Sequence, residues 1–154
     1  MKLSAVVLAS AMSALVGAVA TADTVSNADS RNVIAVDTHA RAELLAEMRA
    51  HLVNIQALLE ALSKGNMKGA TQAARASGVQ SASESADDII AHLPSGFTAL
   101  GMSMHRDFDR IADMAERGGD AQTLLRQVAV TMQKCVVCHT NYRFRVDART
   151  ESTR

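Results

Sequence analysis

Tryptophan is absent from this chain, tyrosine and proline occur once each, and phenylalanine three times among 154 residues. So few aromatic side chains argue against a sheet-built core, and a single proline, Pro94, leaves long stretches without a helix breaker. Charge of one sign is also missing: 16 Lys and Arg balance 16 Asp and Glu, and nothing suggests a nucleic-acid surface. Alternating strand patterns of useful length, internal repeats and low-complexity tracts are not seen. What fills the chain is Ala, Leu, Met, Gln, Glu and Arg, which predicts an all-α fold. The length suits one domain with one continuous core.

Residues 1–22 read as a secretory signal peptide. Lys2 supplies the positive start, "LSAVVLASAMSALVGAVA" is apolar, and Ala18-Val19-Ala20 and Ala20-Thr21-Ala22 offer small-residue cleavage sites. A retained membrane anchor is the competing reading; the wealth of Ala, Ser and Gly speaks for cleavage. Export puts the two cysteines in an oxidising compartment, where a free dithiol tends to close.

Residues 23–36 are polar and aperiodic at first and read as a flexible lead; the folded domain is expected over 37–149. Asp37 or Thr38 caps a first helix whose seam is Leu45, Met48, Leu52, Ile55, Leu59 and Leu62, ended by Lys64-Gly65-Asn66. A second, alanine-rich segment covers about 67–92, weakened near Gly78, where Ser81 and Glu84 offer a new cap. "LPSGF" reads as a turn. A third helix over about 99–117 carries Leu100, Met104, Phe108, Ile111 and Ala115 on one stripe and stops at Gly118-Gly119. Asp120 caps the fourth, with Leu124, Val128, Met132 and Cys135 inward. Four amphipathic segments on short connections predict an antiparallel four-helix bundle running up-down-up-down.

Both cysteines, Cys135 and Cys138, fall in "MQKCVVCHTNYRFR" with His139 directly behind them. At 100° per residue Cys138 lies at −60° from Cys135 and His139 at +40°, and Leu124, Val128, Met132 and Tyr142 share that arc. A redox disulfide needs this spacing at the start of a helix that follows a strand, where the dipole lowers the thiol pKa; here it lies four turns into a helix. A structural zinc site needs four ligands, and there is no second cysteine pair; His39, His51, His92 and His105 show no ligand-like spacing, so zinc is not expected. Covalent haem fits: each thiol adds across a vinyl group, and the adjacent His139 reaches the iron as axial ligand. Val136 and Val137 need carry no chemistry.

A helical bundle with C-x-x-C-H on its last helix resembles the class II c-type cytochromes, the cytochrome c′ family, over about residues 37–146; the most specific part is "CVVCHTNYR". Tyr142 and Arg143 stand where that family has an aromatic and an arginine. The resemblance implies one haem c attached to the C-terminal helix and a first-helix side chain at the distal face of the iron. Met48 occupies that place, with Leu44 and Leu52 a turn away on either side, and a thioether there raises the reduction potential. His51 sits at the stripe's edge and reads as a boundary residue. Arg143, four residues after His139, is placed to pair with a propionate, and Tyr142 to pack beside it.

The function implied is that of a periplasmic electron carrier, not an enzyme, with His139 and Met48 as iron ligands and redox proteins as partners. The alternative is a five-coordinate gas-binding protein, taking NO or CO, in which Met48 only packs. An accessory or sensor domain that binds haem structurally is a third reading. Dimerisation through the first two helices is common among such proteins, and the alanine-rich second segment allows close approach.

Overall fold

The computed structural model describes residues 29–83 and 87–147. The chain is mostly helical. It runs β1 (Asn32–Val36), α1 (Thr38–Ser63), α2 (Met67–Arg75), α3 (Val79–Ser83), α4 (Asp87–Ala91), α5 (Ser95–Glu116), α6 (Ala121–Asn141) and β2 (Tyr142–Val146). Residues 1–22, read as a signal peptide, and Glu84, read as part of a second cap, lie outside the described residues.

The helix boundaries come from short-range chemistry. Asp37 caps α1, its carboxylate accepting from the Ala40 amide at 2.6 Å, and Asp120 caps α6 through Thr123 at 2.9 Å. At the other end of α1, Gly65 takes φ +65°, letting its amide reach the Leu62 carbonyl at 3.1 Å and the Asn66 amide reach that of Ala61 at 2.9 Å. Gly118, at φ +77°, closes α5 the same way through the carbonyls of Ala115 and Met114.

The long second helix is not there as one piece. It breaks after Arg75, where Ser77 and Gly78 turn back to the carbonyls of Ala74 and Arg75. The cause is tertiary: Asp109 of α5 enters the gap and accepts from the Val79 amide at 3.0 Å, starting α3 in place of a local cap. A Cβ on Gly78 would overlap that carboxylate. Arg75 braces the break, reaching Asp109 at 3.2 Å and also pairing with Asp113.

Two further expectations are corrected. The third helix begins at Ser95, so Ser95-Gly96-Phe97 forms its first turn instead of a connection. Phe97 pins that turn, lying edge-on to Tyr142 and Phe144 at centroid distances of 5.6 and 5.7 Å. The end of the lead, residues 32–36, is a strand paired in parallel with 142–146, from Asn32 opposite Tyr142 to Val36 opposite Val146. Its short alternation hides Ile34 and Val36 and exposes Val33 and Ala35. The folded unit therefore starts at least five residues before Asp37.

Side chains pack in two groups. Leu58, Leu62, Ala74, Phe108, Ile111 and Leu124 are among those filling the first, between α1, α2, α5 and α6. The second is built by Ile34, Val36, Ala40, Leu44 and Ile89 under the two strands, with Phe97, Tyr142 and Phe144 against it. A space separates them. Leu52, expected in the core seam, is 66% exposed and Met132 39%, because both border that space. Leu59 is exposed beside a shallower depression that also takes in Leu52 and Met132. Leu58, one residue away, is fully buried in its stead.

Candidate functional site

The space is an apolar cavity of about 460 Å³, within the range that holds a small organic ligand. Leu44, Leu45, Met48, Leu52 and Ile55 line it from α1, Phe97, Leu100 and Met104 from α5, and Met132, Cys135, Cys138 and His139 from α6. A smaller cavity of about 180 Å³ shares Leu45, Met48, Phe97, Cys138 and His139 with it and adds Arg31, Arg41, Tyr142, Arg143 and Phe144. An apolar chamber thus runs into a vestibule with three arginines.

The motif lies within the last two turns of α6, which ends at Asn141. Cys135 and Cys138 are half-buried and free, while Val136 and Val137 face solvent, as the helical phasing predicts. Burial pushes both thiols up, and the neighbouring Cys135 adds to the effect at Cys138. That is opposite to the lowered thiol pKa of a redox dithiol. The carbonyls at this helix end are taken up: Thr140 donates to Val136, Asn141 to Val137, the Tyr142 amide to Cys138, and Arg31 to His139 at 3.3 Å. The His139 ring has no hydrogen-bond partner among the described residues.

A buried salt bridge fixes the approach to the motif. Lys134, directly before Cys135, holds Asp107 of α5 at 2.5 Å and the Ser103 carbonyl at 3.0 Å, and Arg110 pairs with the same Asp107. Asp107 is 1% exposed, and these two cations balance its buried charge. Burial lowers the Lys134 pKa, and the nearby Arg110 and Arg106 lower it further.

The six residues singled out in the sequence all reach this region, but not all as expected. Cys135, Cys138, His139 and Met48 line the apolar chamber, the cysteines and Met48 half-buried but His139 exposed, against the inward phasing read for it. Tyr142 and Arg143 reach the vestibule from β2, since α6 ends at Asn141 and the i+4 relation to His139 does not hold. Strand pairing with Asn32 and Val33 turns the chain there. The Nε of Arg143 is buried without a hydrogen-bond partner among the described residues, with an Asp29 carboxylate oxygen 3.5 Å away. Asp29 itself is held well below the usual carboxylate range by the Arg31 guanidinium that hydrogen-bonds it.

Sequence reasoning missed Arg31 and Arg41, which border the vestibule, Arg31 because β1 folds beside β2. It also missed that Glu47, His51 and His105 come together on the chamber wall. His51 and His105 rings are 5.1 Å apart, edge to face. The Glu47–His51 spacing of four on one helix was the available signal; the partner, 54 residues later, needed the fold.

His105 is 5% exposed, and its Nδ1 lies 2.9 Å from the Ser77 carbonyl. Burial lowers its pKa below the usual 6.5, more strongly than the Ser77 hydrogen bond raises it. The unfolded chain therefore takes up a proton near that value while the folded chain still refuses it. Stability is greatest above it and falls as pH drops through the window between the unfolded and the lower folded pKa, by at most about 1.4 kcal/mol per pH unit. Denaturant midpoints measured from about pH 7.5 to about pH 5.5 are expected to decline, and His105→Gln to flatten that decline.

No protein family, curated protein or solved structure matches the chain.

Proposed function

We propose that the chain is an exported c-type cytochrome of the class II kind, carrying one electron on a single covalently held haem in the periplasm. The observation that carries this reading is the convergence of Cys135, Cys138 and His139 from one helix with Met48 from another on one apolar chamber. The four helical legs would be α1, the broken α2–α4 segment, α5 and α6. Packing of α1 on α2, α2 on α5, α5 on α6 and α6 on α1 supports a closed bundle.

The residues fit the group. Leu45, Leu52, Phe97, Leu100 and Met104 offer an apolar lining for a planar macrocycle, and the partly exposed Leu52 and Met132 gain cover from it. The Nε of Arg143, buried without a hydrogen bond among the described residues and with only the Asp29 carboxylate near it, together with Arg31 and Arg41, suits carboxylates such as propionates at the vestibule. Cys135 and Cys138 would form the thioethers, and His139, with its ring unengaged by other side chains, would be the proximal ligand. Met48 would be the distal ligand: it borders both cavities together with His139, whereas His51 borders only the larger one.

Bound haem supplies a one-electron couple between ferric and ferrous iron. The chain's residues would hold that couple in an apolar surround, tune it with a soft thioether, and close the distal face to small gases. Partners are then redox proteins of the same compartment. The near-neutral sequence offers no charged run that would name the partner.

The reading is tested by expressing the chain with haem-attachment machinery and recording spectra before and after CO. A low-spin spectrum with a thioether-to-iron charge-transfer band and no response to CO is expected. A high-spin ferric spectrum and ready CO binding would instead support the five-coordinate gas-binding alternative.

A further inference from the structure

We propose that Glu47, His51 and His105 form a site for a divalent transition ion of the zinc class, separate from the cysteine motif and open to the larger cavity. This does not rest on the haem reading.

Glu47 and His51 lie one turn apart on α1, and His105 comes across from α5. Oε1 of Glu47 is 3.6 Å from Nε2 of His51 and 3.7 Å from Nε2 of His105, and the three ligand atoms lie within 4.8 Å of one another. Zinc bonds of about 2.0–2.2 Å set neighbouring donors of a tetrahedron roughly 3.3–3.5 Å apart. The two carboxylate–imidazole spacings need to close by only a few tenths of an ångström.

Each ring is also held from behind. Nδ1 of His105 lies 2.9 Å from the Ser77 carbonyl, and Nδ1 of His51 lies 3.0 Å from the Ser77 hydroxyl, which also accepts from Asn54 at 3.1 Å. Anchoring the far nitrogen to a fixed polar group is how proteins orient metal-binding imidazoles. Ser77 is fully buried, and the helix break at Gly78 is what presents both its oxygens to the two rings.

The tautomer follows from this geometry. A carbonyl oxygen only accepts, so the His105 Nδ1 carries the hydrogen and the Nε2 of the neutral ring is a bare lone pair. That lone pair lies 3.7 Å from a Glu47 carboxylate oxygen. A metal ion would draw on both and, unlike a proton shared by two of the groups, engages His51 as well. Two imidazoles and one carboxylate suit zinc, and other first-row ions that favour nitrogen, over magnesium or calcium. Three protein ligands leave a coordination position toward the cavity that all three line.

Zinc is titrated calorimetrically into the full chain as purified and into Cys135→Ser/Cys138→Ser, which lacks both thiols. One zinc per chain with similar affinity in both proteins is expected, weakened at least tenfold by Glu47→Gln and by His51→Gln in either background. Cobalt in the double variant should give the intense visible bands of a four-coordinate ion, lost in Glu47→Gln. The inference is overturned by no zinc uptake, by uptake that disappears with the cysteines, or by affinities unchanged in Glu47→Gln and His51→Gln. Should the double variant not fold, the two single variants of the purified chain still decide between these results.

Discussion

Replacing Cys135 and Cys138 together with serine is expected to abolish covalent haem attachment, from one per chain to none, while leaving a folded helical protein. The hydroxyl of serine does not add to a vinyl group under conditions where a thiol does, so both thioethers are lost. The fold should survive because neither cysteine belongs to the two buried side-chain clusters; both are half-buried at the cavity wall. Cys135→Ser and Cys138→Ser singly should each retain one bond, giving haem that stays with the denatured chain but shows an altered reduced spectrum. The measurement is pigment retention on a denaturing gel and after acid-organic extraction, with far-UV circular dichroism for the fold. A wild-type chain matured with the attachment machinery that retains no pigment would sink the cytochrome reading altogether.

How much of this was legible in the sequence depended on the range of the interaction involved. The ends of α1 and α6 could be read because Asp37, Asp120 and the left-handed Gly65 act on amides and carbonyls within a few residues. The inward phasing of Cys135 and Cys138 could be read for the same reason: one helix fixes it. The break at Gly78 could be suspected but not placed, since what starts α3 there is an Asp109 carboxylate thirty residues away. The strands escaped because each is five residues long and has no partner until the other end of the chain comes beside it. Missing them also misplaced Arg143, which a continued helix would have put over His139. The pairing of His51 with His105 belongs to this second group, being made by Ser77 holding one ring from each of two helices. The apolar seam of α1 was read inward and holds at Ile55 and Leu62, but Leu52 is exposed where the seam faces a space and not other side chains, and Leu59 gives way to Leu58.

Met48→Ala is expected to change the haem of the matured protein without unfolding it. Met48 is half-buried and lies outside both packed clusters, so its loss removes few core contacts. Its neighbours along the same face, Leu45 and Leu52, also line the cavity but carry no donor atom, so no hydrocarbon beside it can replace the sulfur. The ferric spectrum should shift from low-spin to high-spin, the charge-transfer band should vanish, and CO should bind the ferrous protein. The reduction potential should fall by on the order of 100 mV or more, well inside the roughly 0.8 V range that axial ligands command. His51, one turn away, is the residue able to blur this result, because its Nε2 is a potential donor on the same cavity wall. Its Nδ1 anchor on Ser77 and its closeness to Glu47 tie the ring to the opposite task of holding the Glu47–His105 cluster together. Met48→Ala/His51→Gln therefore separates the two: a spectrum identical to that of Met48→Ala shows that the thioether alone closed the distal face. A high-spin ferric spectrum, the same in Met48→Ala as in the parent protein, would mean that the residue only packs and would favour the gas-binding alternative.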